Sequence, residues 1–203
     1  MELIIGAGWY IMVPLAILGF LALYIAFDRY FAIKKASKID RDFMARIRDY
    51  ITDNKIDAAM DYCATQKSPM ARMLEKGISK IGRSMKEISV SIENIGKLEV
   101  FKLEKGLSTL ATIAGAAPML GFLGTVIGMI VTFHAMQVSG NGVEIADLSG
   151  GIMQAMVTTV AGLIIGIIAY IAYNYLVAKV DKVVNKMEAV SVDFLDLLDE
   201  PIN

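Results

Sequence analysis

Residues 106–143 read GLSTLATIAGAAPMLGFLGTVIGMIVTFHAMQVSGNGV, and no charged side chain interrupts them. A helix needs about 20 apolar residues to cross the hydrocarbon core of a bilayer. A helix on the surface of a soluble core would carry a polar stripe at the helical period, and this stretch carries none. It predicts a membrane-spanning helix. Two more charge-free stretches clear the same length: the residues between Glu2 and Asp28, and residues 148–178. The expected fold is an all-α integral membrane protein with three transmembrane helices.

Composition agrees. The chain has 203 residues, 56% of them hydrophobic and 20% charged, and a mean hydropathy of +0.55, too apolar for an ordinary soluble domain. Lys and Arg number 20 against 21 Asp and Glu. That balance argues against a nucleic-acid binder working through bulk positive charge. The single cysteine, Cys63, excludes an internal disulfide and a cysteine metal cluster. The single histidine, His134, excludes the multi-histidine zinc sites. No cofactor is expected, and an enzyme is not expected.

The first span, Leu3 to Phe27, reads as a retained anchor. It has no positively charged start and no small-residue cleavage site before Asp28-Arg29. Pro14 inside it should kink the helix or leave one carbonyl unpaired. Trp9 and Tyr10 near one end, and Tyr24 and Tyr30 near the other, suit the membrane interfaces.

Basic residues set the orientation. Residues 28–106 hold 17 of the 20 Lys and Arg, and Lys179, Lys182 and Lys186 are the remaining three. The positive-inside rule puts residues 28–106 and the C-terminus in the cytoplasm, and the N-terminus and the Val138–Asp147 turn outside. Four segments result: a first transmembrane helix over 1–27, a cytoplasmic helical region over 28–106, a hairpin of spans two and three over 107–178, and a cytoplasmic C-terminal helix over 179–203.

The cytoplasmic region reads as amphipathic helices. Phe43, Ile47, Tyr50 and Ile51 share one helix face. Asp53-Asn54 reads as a break and a new N-cap, after which Ile56, Ala59, Met60 and Cys63 continue the pattern. Ser68-Pro69 should start another helix, with proline in its first turn, carrying Met70, Met73, Leu74 and Ile78. From Val90 through Lys105 no strong breaker occurs, Gly96 being the one weak point. One long helix is expected to run from there into span two. In the tail, apolar residues at 180, 183, 184, 187, 190, 194, 197 and 198 form a helical stripe that should extend span three into the cytoplasm. Asp193, Asp196, Asp199 and Glu200 make its end acidic.

Spans two and three carry the functional information. Ten of the 17 glycines fall between Gly115 and Gly166. Gly124–Gly128 and Gly162–Gly166 are each GxxxG, which permits close helix approach in lipid. Gly121, Thr125, Gly128 and Thr132 share a face of span two. Gln154 and Thr158 are four apart on span three, beside a strip of Ala155, Thr159, Gly162 and Gly166. Small and hydroxyl side chains on one face suit either a tight helix contact or a polar lumen. A threonine can also simply bond its own preceding turn, whereas a Gln amide away from water must find partners. His134, near the outer end of span two, suits an interfacial or structural place. No Asp, Glu, Lys or Arg lies inside any span. Intramembrane ionisable groups mark ion pathways, so a proton path through this chain needs a partner to supply the acid.

The stretch Ala117-Pro118-Met119-Leu120-Gly121-Phe122-Leu123-Gly124-Thr125-Val126-Ile127-Gly128-Met129 resembles a signature of the MotA/TolQ/ExbB proton channel family. So does Ile152-Met153-Gln154-Ala155-Met156-Val157-Thr158-Thr159-Val160-Ala161-Gly162-Leu163, followed by Tyr173-Asn174. Three spans look like the ExbB or TolQ branch, since the flagellar stator branch typically has four. The resemblance implies a homopentamer in the bacterial inner membrane, N-terminus periplasmic and C-terminus cytoplasmic. Spans two and three would line a central pore holding an ExbD/TolR-like single-span subunit, whose transmembrane Asp takes and releases the proton. The pore threonines of the family fall on Thr125 and Thr159. Where the best-known ExbB proteins carry a pore glutamate, this chain has Gln154.

The expected site is therefore a pore-lining proton pathway of Thr125, Gln154, Thr158 and Thr159, with Gly121, Gly124, Gly128, Gly162 and Gly166 packing the helices. The implied function is a stator that uses the proton motive force to energise a TonB-like protein for outer-membrane transport. A TolQ-like stator, another proton-driven motor, and a non-conducting scaffold are the alternatives. A channel or transporter for another ion is a further one, although no inverted repeat with broken helices is evident.

Overall fold

The computed structural model describes residues 9–40, 42–139 and 145–199. Leu3 to Gly8, the centre of the expected Val138–Asp147 turn (140–144), and Glu200 lie outside the described residues. The described chain is helical: α1 Trp9–Ala36, α2 Phe43–Thr52, α3 Ile56–Thr65, α4 Pro69–Ile78, α5 Met85–Glu104, α6 Leu107–Ser139 and α7 Ile145–Asp199. Three stretches are long and apolar enough to cross a membrane, within Trp9–Ala36, Met85–Val138 and Leu148–Asp199. The protein is a multi-pass membrane protein. Helix α1 runs through Pro14; the proline ring has no N–H to offer the Tyr10 carbonyl one turn back.

The chain divides into two compact units. The first joins the part of α1 before Arg29 to residues from Gly106 to Tyr175. Its core is a narrow seam of small and apolar side chains: Leu110, Ile113 and Ala117 on α6, and Ala155 and Ala169 on α7, are all buried. Outside that seam large apolar side chains face outward, among them Phe20, Phe122, Ile130 and Tyr170. Such broad apolar exposure suits hydrocarbon or neighbouring helices, not water.

The second unit holds residues from Arg29 to Lys105 and from Leu176 onward. Here the sequence alternation is realised as a water-type core. Phe43, Ile47, Ala59, Cys63, Met70, Leu74 and Ile78 are buried. Helix α2 packs on α3, α3 on α4, and α4 on α5. The tail stripe turns inward as expected, with Val180, Val183, Met187 and Phe194 buried. A Cβ on Gly77 would stand 2.7 Å from Ile92 Cδ1 and 2.8 Å from Phe194 Cε1. Gly77 thus lets α4 lie tightly against both α5 and the end of α7. Burial holds the Cys63 thiol at a pKa of about 12, so it stays a neutral, inert packing group.

Helix ends follow local chemistry. The Ser68 hydroxyl accepts the Ala71 amide at 3.2 Å and Pro69 opens α4, as the sequence predicts. Ser84 caps α5 in the same way, accepting from Glu87 N. Two expectations need correction. Asn54 does not cap α3; it closes α2. It takes φ +58, its amide bonds the Ile51 carbonyl, and the Lys55 amide bonds the Tyr50 carbonyl. This is a Schellman end, with Asn in the left-handed position that glycine usually fills. The second concerns the long helix expected from Val90 into span two, which breaks after Glu104. Lys105 has φ -51 and ψ 124, and Gly106 has φ +83. These are type II turn angles, which call for glycine at the second corner. Gly96, the residue expected to be weak, stays helical, and a Cβ there would meet only the flexible end of Met73, its methyl at 3.2 Å. At the other end of the hairpin, α7 continues unbroken from Ile145 to Asp199, as expected for span three and the tail.

Candidate functional site: a threonine wall on a glycine crossing

Helices α6 and α7 approach each other where glycine removes the side chain. A Cβ on Gly162 would stand 2.5 Å from the Ala117 carbonyl oxygen and 2.9 Å from Gly121 Cα. A Cβ on Gly121 would stand 2.8 Å from the Thr158 carbonyl oxygen. Both obstacles are backbone, which cannot rotate aside. One turn further along, a Cβ on Gly166 would meet Pro118 Cγ at 2.5 Å. A Cβ on Gly128 would stand 2.8 Å from the Ala155 methyl, and one on Gly124 would run into the Thr158 side chain. All five glycines singled out in the sequence therefore lie on the α6–α7 contact. Ala117, Ala155 and Pro118 complete it; their small or compact side chains were the available signal for them.

The threonines divide into two roles. Thr158 is 3% exposed. Its hydroxyl donates to the Ala155 carbonyl at 2.7 Å and lies 3.3 Å from the Gly121 carbonyl. Assembly with other chains can only cover a side chain further, so Thr158 does not fit the pore-facing place expected for it. It is a packing residue whose hydroxyl satisfies itself in the seam.

Thr159 and Thr125 are half-buried at the edge of the same crossing. Thr159 Oγ1 donates across the helices to the Gly121 carbonyl at 3.0 Å. Thr125 Oγ1 donates to the Phe122 carbonyl at 2.5 Å. The two hydroxyl oxygens stand 3.5 Å apart. A hydroxyl has one proton and two lone pairs. With each proton engaged by a carbonyl, the pair offers acceptor lone pairs side by side. Such a pair suits an incoming O–H, from water or from a protonated carboxylic acid, better than it suits a carboxylate.

Gln154 and Thr132 sit elsewhere on the hairpin. Thr132 Oγ1 donates to the Gly128 carbonyl at 2.8 Å, the bland bond to its own preceding turn. Gln154 is half-buried and lines a cavity of about 140 Å³ together with Thr132, Thr158, Gly128 and Tyr10 of α1. The cavity wall is mostly apolar, with the Gln154 amide and a few hydroxyls on it, and it is large enough for water. Gln154 is thus brought beside Thr158 on the wall of that cavity. Asn174 donates to the Tyr170 carbonyl at 2.9 Å, and His134 is exposed on α6.

Comparison with known proteins follows the same segment. A family model described as the MotA/TolQ/ExbB proton channel family matches residues 65–189. An ExbB homolog of Methanothermobacter thermautotrophicus, described as a biopolymer transport protein, is 28% identical over 91% of this chain. The aligned part is 64% of that relative's length. The biopolymer transport protein ExbB of Aquifex aeolicus is 38% identical over 50% of this chain and 70% of its own. That of Helicobacter pylori strain J99 is 42% identical over 39% of this chain and 54% of its own.

Proposed function

The chain belongs to the MotA/TolQ/ExbB proton channel family, and on that footing we propose that it is the channel-forming subunit of an ExbB-type proton-driven motor in a bacterial cytoplasmic membrane. In this reading five copies surround a pore, with residues 28–106 and the tail in the cytoplasm. The pore holds a single-span ExbD/TolR-like partner whose transmembrane Asp carries the proton. The observation that carries the reading is the Thr125–Thr159 pair. It is polar and lies half-buried at the edge of a membrane-spanning crossing. It also accompanies spans that contain no Asp, Glu, Lys or Arg of their own.

The chemistry follows from charge. A carboxylate in the hydrocarbon layer is costly, and its protonated form is far less so. A proton arriving from outside neutralises the partner's Asp. The neutral acid then donates to the acceptor face of Thr125 and Thr159 and can pass along the apolar wall. Release of the proton to the cytoplasm restores the charge. One charge crossing about 100 mV releases about 2.3 kcal/mol, so work on a protein load takes several protons. Five equivalent walls around fewer acids cannot all be engaged together, which favours stepwise rotation. The load in this reading is a TonB-like protein that serves outer-membrane transport.

Purification from native membranes followed by native mass spectrometry tests the assembly. Five copies with two of a small single-span protein are expected. Reconstituted into vesicles, that complex should pass protons, and the partner's Asp changed to Asn should stop them. A monomer or dimer in mild detergent would sink the shared pore. Flux that survives the Asp change would sink the carrier role of the acid.

A further inference from the structure

We propose that the second unit carries a binding site for the headgroup of an anionic phospholipid, formed by α1 and α7 just past their apolar spans. The cavity there measures about 530 Å³. Lys34 of α1, Lys38 just past its end, and Lys179, Lys182 and Lys186 of α7 line it. No carboxylate is among the described residues that line it. Lysines crowded around one cavity raise its potential, and an anion relieves their mutual repulsion.

Position argues for a lipid over a soluble anion. Along α1, Lys34 lies six residues past Asp28, about 9 Å at the helical rise. On α7, Lys179 is the first charge after the apolar span. Lys179 therefore falls within the polar layer that flanks the hydrocarbon core, and the long stem of Lys34 lets its ammonium group reach back toward that layer. The cavity wall is also amphipathic. Ile33 and Leu176 line it as buried apolar groups, and Lys34 Nζ stands 5.8 Å from the centre of the Tyr30 ring. Phe31 is 63% exposed and shares a helix face with Lys34 at a spacing of three. A diacyl phosphate ester can lay its chains on the aromatic part of that face and its phosphate among the lysines. Ser37 and Asn185, also on the wall, supply neutral hydrogen bonds to the phosphodiester or its glycerol.

The inference rests on the membrane-spanning reading and not on proton transport, so it stands or falls separately from the motor. The test uses the full chain in nanodiscs of phosphatidylcholine with a titrated fraction of phosphatidylglycerol, and counts retained lipid by native mass spectrometry. Wild type should retain phosphatidylglycerol over phosphatidylcholine. Lys34→Gln/Lys182→Gln/Lys186→Gln should weaken retention about a hundredfold, at about fivefold for each lysine near the surface. The three matching Lys→Arg changes should keep it. Lys67→Gln/Lys86→Gln/Lys97→Gln, which removes as much charge from exposed positions outside the cavity, should leave retention unchanged. Equal loss in the two Gln triples would mean diffuse attraction and overturn the site. Equal retention of phosphatidylcholine, or displacement of the lipid by inorganic phosphate, would overturn it as well.

Discussion

The Thr159 hydroxyl of α7 donates to the Gly121 carbonyl of α6 at 3.0 Å, so one side chain both ties the hairpin and forms half of the acceptor pair with Thr125. Other threonines of the hairpin satisfy their own preceding turn: Thr112 on Ser108, Thr125 on Phe122, Thr132 on Gly128 and Thr158, with a longer approach to Gly121, on Ala155. Thr159→Val keeps the shape and deletes the proton and the lone pairs. Interhelical hydrogen bonds in membranes are worth about 0.6 kcal/mol on average, so the hairpin should lose no more than about 1 kcal/mol. Proton flux through the reconstituted complex should nevertheless fall sharply, and Thr159→Ser should restore it. Full flux in the Val variant would remove the hydroxyl from the pathway.

The seam predicts a sharp contrast among glycines. Gly162→Ala places a methyl 2.5 Å from the Ala117 carbonyl oxygen, and the helices must separate. Overpacking of this kind costs about 1–3 kcal/mol. Gly121→Ala should do the same from the opposite side. The double variant should fall short of the sum, because both changes push the same two helices apart. Gly115→Ala and Gly150→Ala meet nothing within 4 Å and should be tolerated. Unfolding free energies in one detergent would compare them. A Gly162→Ala protein as stable as Gly115→Ala would contradict the close crossing.

The spans were legible because charge is so costly in hydrocarbon that its absence over residues 106–143 and 148–178 admits few other readings. Ser68-Pro69 was legible because a cap and a ring without an N–H act locally. The break after Glu104 was not. Gly96 and Gly106 look alike in sequence, each a lone glycine between helix-forming residues. Only the backbone separates them, one helical against Met73 and the other at φ +83. Thr158 and Thr159 pose the same difficulty at the site. Neighbours on a helix point about 100° apart. Which one enters the seam depends on the rotation fixed by Gly121 against Gly162, a long-range fact that spacing along one helix does not contain. The family resemblance points to Thr159, while helical spacing alone admits both.

Gly106 supplies a test of the turn itself. At φ +83 an L side chain pays about 1–2 kcal/mol for the left-handed region. Space is not the obstacle, because a Cβ there would lie 3.4 Å from Ile25 Cγ2, an ordinary contact. Gly106→Ala should therefore destabilise by about 1–2 kcal/mol. Gly106→Asn should lose less, since Asn tolerates the left-handed region. If strain is the cause, thermal unfolding will rank Gly above Asn above Ala. An Ala variant at or above wild-type stability would instead favour a continuous helix through Lys105.

Glu99 makes the second unit sensitive to acid. It is 3% exposed and accepts hydrogen bonds from Arg72 and, at 2.6 Å, from Lys102. Burial pushes its carboxyl pKa up, but the hydrogen bonds and charges of Arg72 and Lys102 outweigh burial and hold it below the ordinary carboxylate value. The folded state thus binds the proton less readily than the unfolded chain. Its contribution is complete above the unfolded value of about 4.3 and is lost as pH falls through the lower folded value. Below both, Glu99 is protonated in either state and contributes nothing through this linkage. Glu99→Gln should destabilise the unit at neutral pH by about 1–3 kcal/mol, and the gap to wild type should close as the solution is acidified below about pH 4. Arg72→Ala should cost less, because Lys102 remains and the Arg72 side chain is 44% exposed. Chemical unfolding of both variants across that pH range measures the difference. A gap between wild type and Glu99→Gln that stays constant into acid would show that the buried carboxylate is not held by its two cations.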